Sequence, residues 1–229
     1  MNQKTIFGIV ITCIVIVIIG GVYLAFSNSS GENRTLDSQT PNQVDGSAKS
    51  IVIYFSVPET DSPNNMTQDE ENSTVVVDGE VLGNTEYVAR LIREKTESDI
   101  FRLEPADAYP TNHDQLLRRA QEEMQNDERP ALKEDIDISS YDTIYIGYPI
   151  WNADLPPIIH TFLESHDFDG KTIVPFCTHG GSGLSGTTNT LAELLDGATV
   201  IRNGFELYRS NMEDAPDAVD TWLSEIGSI

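Results

Sequence analysis

From Ser50 onward, short apolar runs alternate with stretches whose apolar residues recur at helical spacing. The first run, Ser50-Ile51-Val52-Ile53-Tyr54-Phe55, is rich in β-branched and aromatic residues and stops at Ser56, as a buried strand does. Ile100-Phe101-Arg102-Leu103, ending before Pro105, reads as a second strand; Thr143-Ile144-Tyr145-Ile146 before Gly147 as a third; residues 171–177 as a fourth; residues 198–201 as a fifth. The third run is apolar on both faces, which suits a sheet covered by helices on each side. Between these runs, Val88, Leu91 and Ile92 share one helix face, and Leu116, Leu117, Ala120 and Met124 share another behind Thr111 or Asn112 as cap. Leu155, Ile158, Ile159, Phe162 and Leu163 form a third stripe, residues 188–195 a fourth helix, and Ala215, Val219, Trp222, Leu223 and Ile226 the last stripe. Strand followed by helix, five times over, predicts a parallel sheet between helix layers with right-handed crossovers. The sequence shows no internal repeat.

One segment breaks the alternation. Between Ser56 and Gly83 lies a polar stretch, residues 57–73, followed by two β-branched runs around Asp78-Gly79, a hairpin signal. A small flap beside the Gly83 turn is expected. It either covers a ligand or is a tolerated surface insertion.

Ahead of the folded region, residues 6–26 carry no charge and are long enough to cross a hydrocarbon core of ~30 Å as one helix. A membrane anchor over residues 1–26 is expected rather than a cleaved signal peptide, because Leu24-Ala25-Phe26-Ser27 is a poor cleavage pattern. Lys4 precedes the span while Glu32, Arg34 and Asp37 follow it, which leaves the amino end inside and a folded domain, residues 50–229, extracytoplasmic. Residues 27–49, rich in Ser, Asn, Gln and Gly, read as a flexible linker.

Composition narrows the function. The 229 residues, 39% of them hydrophobic, can bury one sizeable core. With 37 acidic against 14 basic residues the formal charge is -23, which repels phosphate backbones and excludes nucleic acid as a partner. Cys13 and Cys177 stand far apart in sequence. No disulfide framework or metal-type spacing is present. His113, His160 and His166 read as helix-surface groups and Cys177 as a small core residue. No nucleophile with an adjacent base is visible, so no catalytic residue is assigned.

The candidate chemistry lies where strands end, since open α/β sheets collect ligands beyond the carboxyl ends of their strands. Three loops qualify. Ser56 with Gly83, Asn84 and Thr85 places hydroxyls and unpaired N–H groups at a helix start, where a phosphate can be held without Lys or Arg. By itself Asn84 or Thr85 would be read as a helix cap. Pro149, Ile150, Trp151 and Asn152 offer an indole on which a flat heteroaromatic could lie, or which merely packs. Thr178, His179, Gly180, Gly181, Ser182 and Gly183 form a glycine-rich loop whose N–H groups can approach a ligand closely. A flat ring with a phosphate tail fits all three.

The motifs YFS at 54–56, GNTEYVA at 83–89, GYPIW at 147–151 and FCTHGGSG at 176–183 make residues 50–226 resemble the flavodoxin-like family. The resemblance implies a five-stranded parallel sheet of order 2-1-3-4-5 with helices on both faces, here behind one transmembrane helix. It implies FMN as cofactor, its phosphate near Ser56, Asn84 and Thr85 and its ring between the loops at Ile150, Trp151 and residues 178–183. Two departures stand out: the usual short strand-to-helix loop is interrupted by residues 57–82, and the Tyr expected over the ring after the fourth strand is absent, with His179 in its place. The expected function is membrane-tethered electron transfer to a redox partner protein or quinone-like acceptor. An FMN-dependent NAD(P)H:quinone-type oxidoreductase is the alternative, and a cofactor-free interaction module a third.

Overall fold

The computed structural model describes residues 49–229. The expected anchor and nearly all of the expected linker lie outside the described residues; among those described, no helix is long and apolar enough to cross a membrane. In chain order the elements are β1 (Ser50–Phe55), α1 (Gln68–Ser73), β2 (Thr74–Val77), β3 (Glu80–Gly83), α2 (Asn84–Thr96), β4 (Asp99–Leu103) and α3 (His113–Gln125). They continue with β5 (Thr143–Pro149), α4 (Pro157–Ser165), β6 (Thr172–His179), α5 (Thr187–Leu194), β7 (Thr199–Val200), β8 (Phe205–Tyr208), a 3-10 turn (Arg209–Asp214) and α6 (Ala215–Glu225).

The main sheet has order β4-β1-β5-β6-β7, with β8 also beside β6, and every pairing in it is parallel. Counted along the chain without the insert, this is the expected 2-1-3-4-5. Alternate residues of β1 explain why its sequence is apolar throughout. Ile51, Ile53 and Phe55 enter the core shared with α4 and α5, while Val52 and Tyr54 enter the core under α2 and α6.

The fifth strand differs from expectation, and one proline explains it. The carbonyls of Lys171 and Ile173 accept from the N–H groups of Thr199 and Ile201, each at 2.8 Å, so these odd positions of β6 face β7. Pro175 is next in the series and has no N–H to donate. The ladder breaks there and resumes as β8, from Phe176 opposite Phe205 to His179 opposite Tyr208.

Within the insert, β2 and β3 pair antiparallel, with Asp78 and Gly79 at φ 52° and 84°; positive φ at both centres is what an Asp-Gly hairpin turn requires. Helix α1 was not expected. Thr67 and Glu70 form a reciprocal capping box, with Thr67 N–H donating to Glu70 Oε2 at 2.6 Å and Glu70 N–H to Thr67 Oγ1 at 3.3 Å, but no apolar stripe follows to betray a helix.

Candidate functional site

A cavity of about 220 Å³ opens beyond the carboxyl ends of β1, β5 and β6. Its floor is the start of α2. The N-cap residue Gly83 has no side chain to satisfy that helix's first N–H groups, which leaves them available to a ligand. Ser56, Asn84 and Thr85 are all buried and line the cavity. Gly83 does not line it but shapes it: a Cβ at 83 would lie 2.1 Å from Ser56 Oγ, so the glycine leaves the Ser56 hydroxyl free to hold this rotamer between β1 and α2. Residues 57–82 therefore leave and return at one point, and Ser56 keeps its place beside the helix start. Arg102 donates to the Ser56 carbonyl at 2.9 Å and fixes that loop from outside.

Side chains tie the floor to its neighbours. The Thr85 and Thr178 hydroxyls are 2.7 Å apart and buried, joining α2 to the end of β6. Asn84 donates to the carbonyl of Asn72 in α1 at 2.9 Å, while its own Oδ1 is buried without a partner. Asn84 is thus no helix cap: its carbonyl oxygen awaits a donor.

The second loop lines the cavity with Pro149, Ile150, Trp151 and Asn152. Ile150 N–H donates to the Thr178 carbonyl at 2.9 Å, holding this loop to the third. A tight turn from Trp151 to Asp154, closed in both directions at 3.1 and 2.8 Å, runs through Asn152 and Ala153 at φ 46° and 64°. Trp151 meets the rings of Phe55 and Tyr109 edge-on, each at 5.3 Å between centroids. Packing therefore sets the indole's orientation at the cavity wall.

The third loop is only partly as expected. Thr178, His179 and Gly180 line the cavity, but Gly181, Ser182 and Gly183 do not. The reason is local: His179 Nδ1 accepts from the N–H groups of Gly181 and Gly183 at 2.9 and 3.2 Å, so these donors turn back on their own loop. Two N–H groups directed at Nδ1 place the imidazole proton on Nε2 in the neutral ring. Glu206 of β8 accepts from Leu184 N–H at 2.8 Å and occupies the space a Cβ at Gly183 would need. Cys177 is buried, and that burial pushes its thiol well above the ordinary range, as befits a core residue.

Several lining residues were not foreseen. Arg209, first in the turn after β8, lines the cavity, a cation beside the neutral donors that the sequence offers. Its guanidinium packs over Gly180, where a Cβ would lie 3.3 Å from it, and its Nε is buried without a partner. The cue would have been strand β8 pointing at the site, which the break at Pro175 hid. His113, expected at the helix surface, faces the cavity from α3 beside Leu116, Leu117 and Ala120. Its Nδ1 is 3.0 and 3.1 Å from the two oxygens of Glu59, bridging the insert to α3. Burial raises the Glu59 carboxyl above its ordinary value, opposed by the hydrogen bond to His113. Among the described residues no group of His, Cys, Asp and Glu is placed to hold a metal.

A crevice beyond the carboxyl ends of the strands, in a sheet of this order, is a recurrent ligand site of doubly wound folds. The family profile described as flavodoxin matches residues 74–226. The chain belongs to the flavodoxin family. A solved structure from Bacteroides uniformis, assigned as a flavoprotein, is 30% identical with a TM-score of 0.58, covering 76% of this flavodoxin-family chain and 98% of its own. A second, from Bacteroides eggerthii, is 27% identical with a TM-score of 0.58 over 78% and 98% of the two chains. A flavoprotein from Lactobacillus acidophilus, solved in complex with FMN, is 19% identical with a TM-score of 0.51 over 76% and 98%; at that identity it speaks for the flavodoxin fold alone. No curated protein matches the chain in sequence.

Proposed function

We propose that this flavodoxin-family chain binds FMN and transfers electrons, tethered to the membrane by residues 6–26 with its domain on the extracytoplasmic side. The observation that carries the reading is the convergence of three strand-end loops on one cavity with both polar and apolar lining. Its lining combines polar groups, Ser56, Asn84, Thr85 and the uncapped start of α2, with apolar ones, Ile150, Trp151, Leu116 and Ala120. A phosphorylated chain ending in a flat ring matches that polarity. At about 220 Å³ the cavity is smaller than the ~300–1,000 Å³ of sites that enclose a ligand, so one edge of a three-ring system would stay in solvent, open to a redox partner.

FMN, when bound, supplies the electron chemistry. The chain's part is to orient and enclose it. Ser56 and Thr85 hydroxyls and the α2 N–H groups would hold the phosphate, Asn84 Oδ1 would accept from a hydroxyl of the linking chain, and Trp151, braced by Phe55 and Tyr109, would cover a ring face. The chain's net charge of -23 would oppose added negative charge on the ring and lower its potential. A redox protein or a quinone-like molecule is the proposed acceptor, a quinone being within reach of a membrane-anchored domain.

One observation favours the second reading, an FMN-dependent NAD(P)H:quinone-type oxidoreductase. His113, oriented by Glu59 beside an apolar shelf, could give a proton to an acceptor reduced there. Multiple-turnover nicotinamide oxidation with added quinone separates that reading from a carrier. The cofactor-free module rested on the insert displacing Ser56, and Ser56 lines the cavity. The test of FMN binding is the absorbance spectrum of the full-length chain after reconstitution, with Trp151→Ala beside it. A flavin spectrum weakened in the variant supports the reading; a colourless unaltered chain overturns it.

A further inference from the structure

Arginine is costly to leave unpaired in a protein interior, and this chain has acidic groups in plenty. With 37 Asp and Glu against 14 Lys and Arg, a carboxylate partner is easily found: Arg90, Arg102, Arg119 and Arg129 each meet at least one. Arg209 meets none among the described residues. It lies in the cavity wall with Nε buried and unbonded, against a glycine whose missing side chain makes room for it. The side chain is half-buried in the cavity wall and makes no hydrogen bond or ion pair among the described residues, which leaves its guanidinium available to an anion that enters the cavity.

A second unmet group in the same cavity says what kind of anion. Asn84 Oδ1 is buried and lacks a donor, while Arg209 Nε lacks an acceptor. A hydroxyl alone could meet both atoms, but it leaves the guanidinium's charge without a counter-charge. A phosphorylated polyol supplies a hydroxyl to one and an anionic oxygen to the other. We infer that Arg209 is the chain's charge-selecting contact for the phosphate of the flavin nucleotide, so that the site takes FMN in preference to riboflavin. The inference rests on the FMN reading and deepens it: the phosphate meets a planar, permanently charged donor in addition to neutral hydroxyls and N–H groups.

The test is fluorescence titration of the full-length chain with FMN and with riboflavin, in the unaltered protein, Arg209→Gln and Arg209→Lys. Arg209→Gln should weaken FMN binding by roughly 10- to 150-fold, the range for hydrogen bonds to charged groups, with riboflavin changed less than about threefold. Arg209→Lys keeps the charge without the fork and should lose only about 3- to 10-fold for FMN; if the Gln variant fails to fold, this one decides. Equal losses for both flavins, or none, would assign the guanidinium to the ring or to an anionic second substrate and overturn the inference. An unaltered chain that binds neither flavin fails the FMN reading itself, whereas one that binds both equally overturns only the role of Arg209.

Discussion

The contact between Gly83 and Ser56 gives the most decisive test of how the floor of the cavity works. Gly83 has an extended backbone, φ -68° and ψ 146°, that alanine adopts without strain, so Gly83→Ala perturbs space and not conformation. The new Cβ would lie 2.1 Å from Ser56 Oγ and 3.3 Å from Ser56 Cβ. The hydroxyl must rotate away, while the backbone need move only a few tenths of an ångström. The stability cost should be about 1 kcal/mol or less, the difference between alanine and glycine at an N-cap plus a tight contact. The binding cost is larger. If Ser56 Oγ donates to a phosphate, losing that charged hydrogen bond removes about 1.5–3 kcal/mol, or roughly 10- to 150-fold in FMN affinity. Ser56→Ala removes the same bond by a different route, so the double variant should bind no more weakly than either single one. The double-mutant cycle should return a coupling close to the whole single-site loss. Isothermal titration with FMN on all four proteins supplies the numbers, and denaturant melts confirm that each is folded. Additive losses would refute the reasoning, because the two changes would then act on different contacts.

Three further outcomes follow from the same geometry. Thr85→Val or Thr178→Val strands the other hydroxyl of the buried 2.7 Å pair and should destabilise by about 1–3 kcal/mol; the double Val variant, which leaves no orphan, should recover most of that in urea melts. Ala153 at φ 64° holds a left-handed conformation that costs about 1–2 kcal/mol without glycine, so Ala153→Gly should stabilise by roughly 0.5 kcal/mol after its entropy cost and raise Tm by about 1–2 °C; a lower Tm would contradict the turn geometry. Burial, and then the Arg129 charge, depress the pKa of His160 below its ordinary 6.5. A histidine depressed in the folded state contributes stability that is present above 6.5 and lost as the pH falls through the folded value. The urea midpoint should therefore drop from pH 7 toward 5, and His160→Gln should flatten that slope.

The parts of the fold legible in the sequence are those whose pattern has a single physical reading. β1 is apolar from Ile51 to Phe55 because both its faces are buried there, and Asp78-Gly79 admits little besides a hairpin. The stripes Ile158, Ile159, Phe162, Leu163 and Val219, Trp222, Leu223 are buried as their spacing requires. The illegible parts depend on partners distant in sequence. Nothing near Phe205 announces a strand, because β8 exists through its pairing with β6 beyond a break caused by Pro175, and Arg209 went unseen with it. His113 sits on a polar helix start, and its partner Glu59 lies 54 positions earlier in the chain. Glycine spacing correctly signalled conformational freedom after β6 but not direction, since it is His179 that draws the N–H groups of Gly181 and Gly183 inward.

The meeting of Ser56 and Gly83 bears on how this member of the family can vary. An excursion whose two ends touch imposes no spacing on the strand and helix it separates, so its length is free to drift while β1 and α2 keep their junction. What the excursion does alter is the rim, through the Asn72 carbonyl on Asn84 and the Glu59 carboxylate on His113. Exchange of residues 57–82 for other sequences would thus re-tailor the entrance while the strand-to-helix junction at Ser56 and Gly83 keeps its geometry.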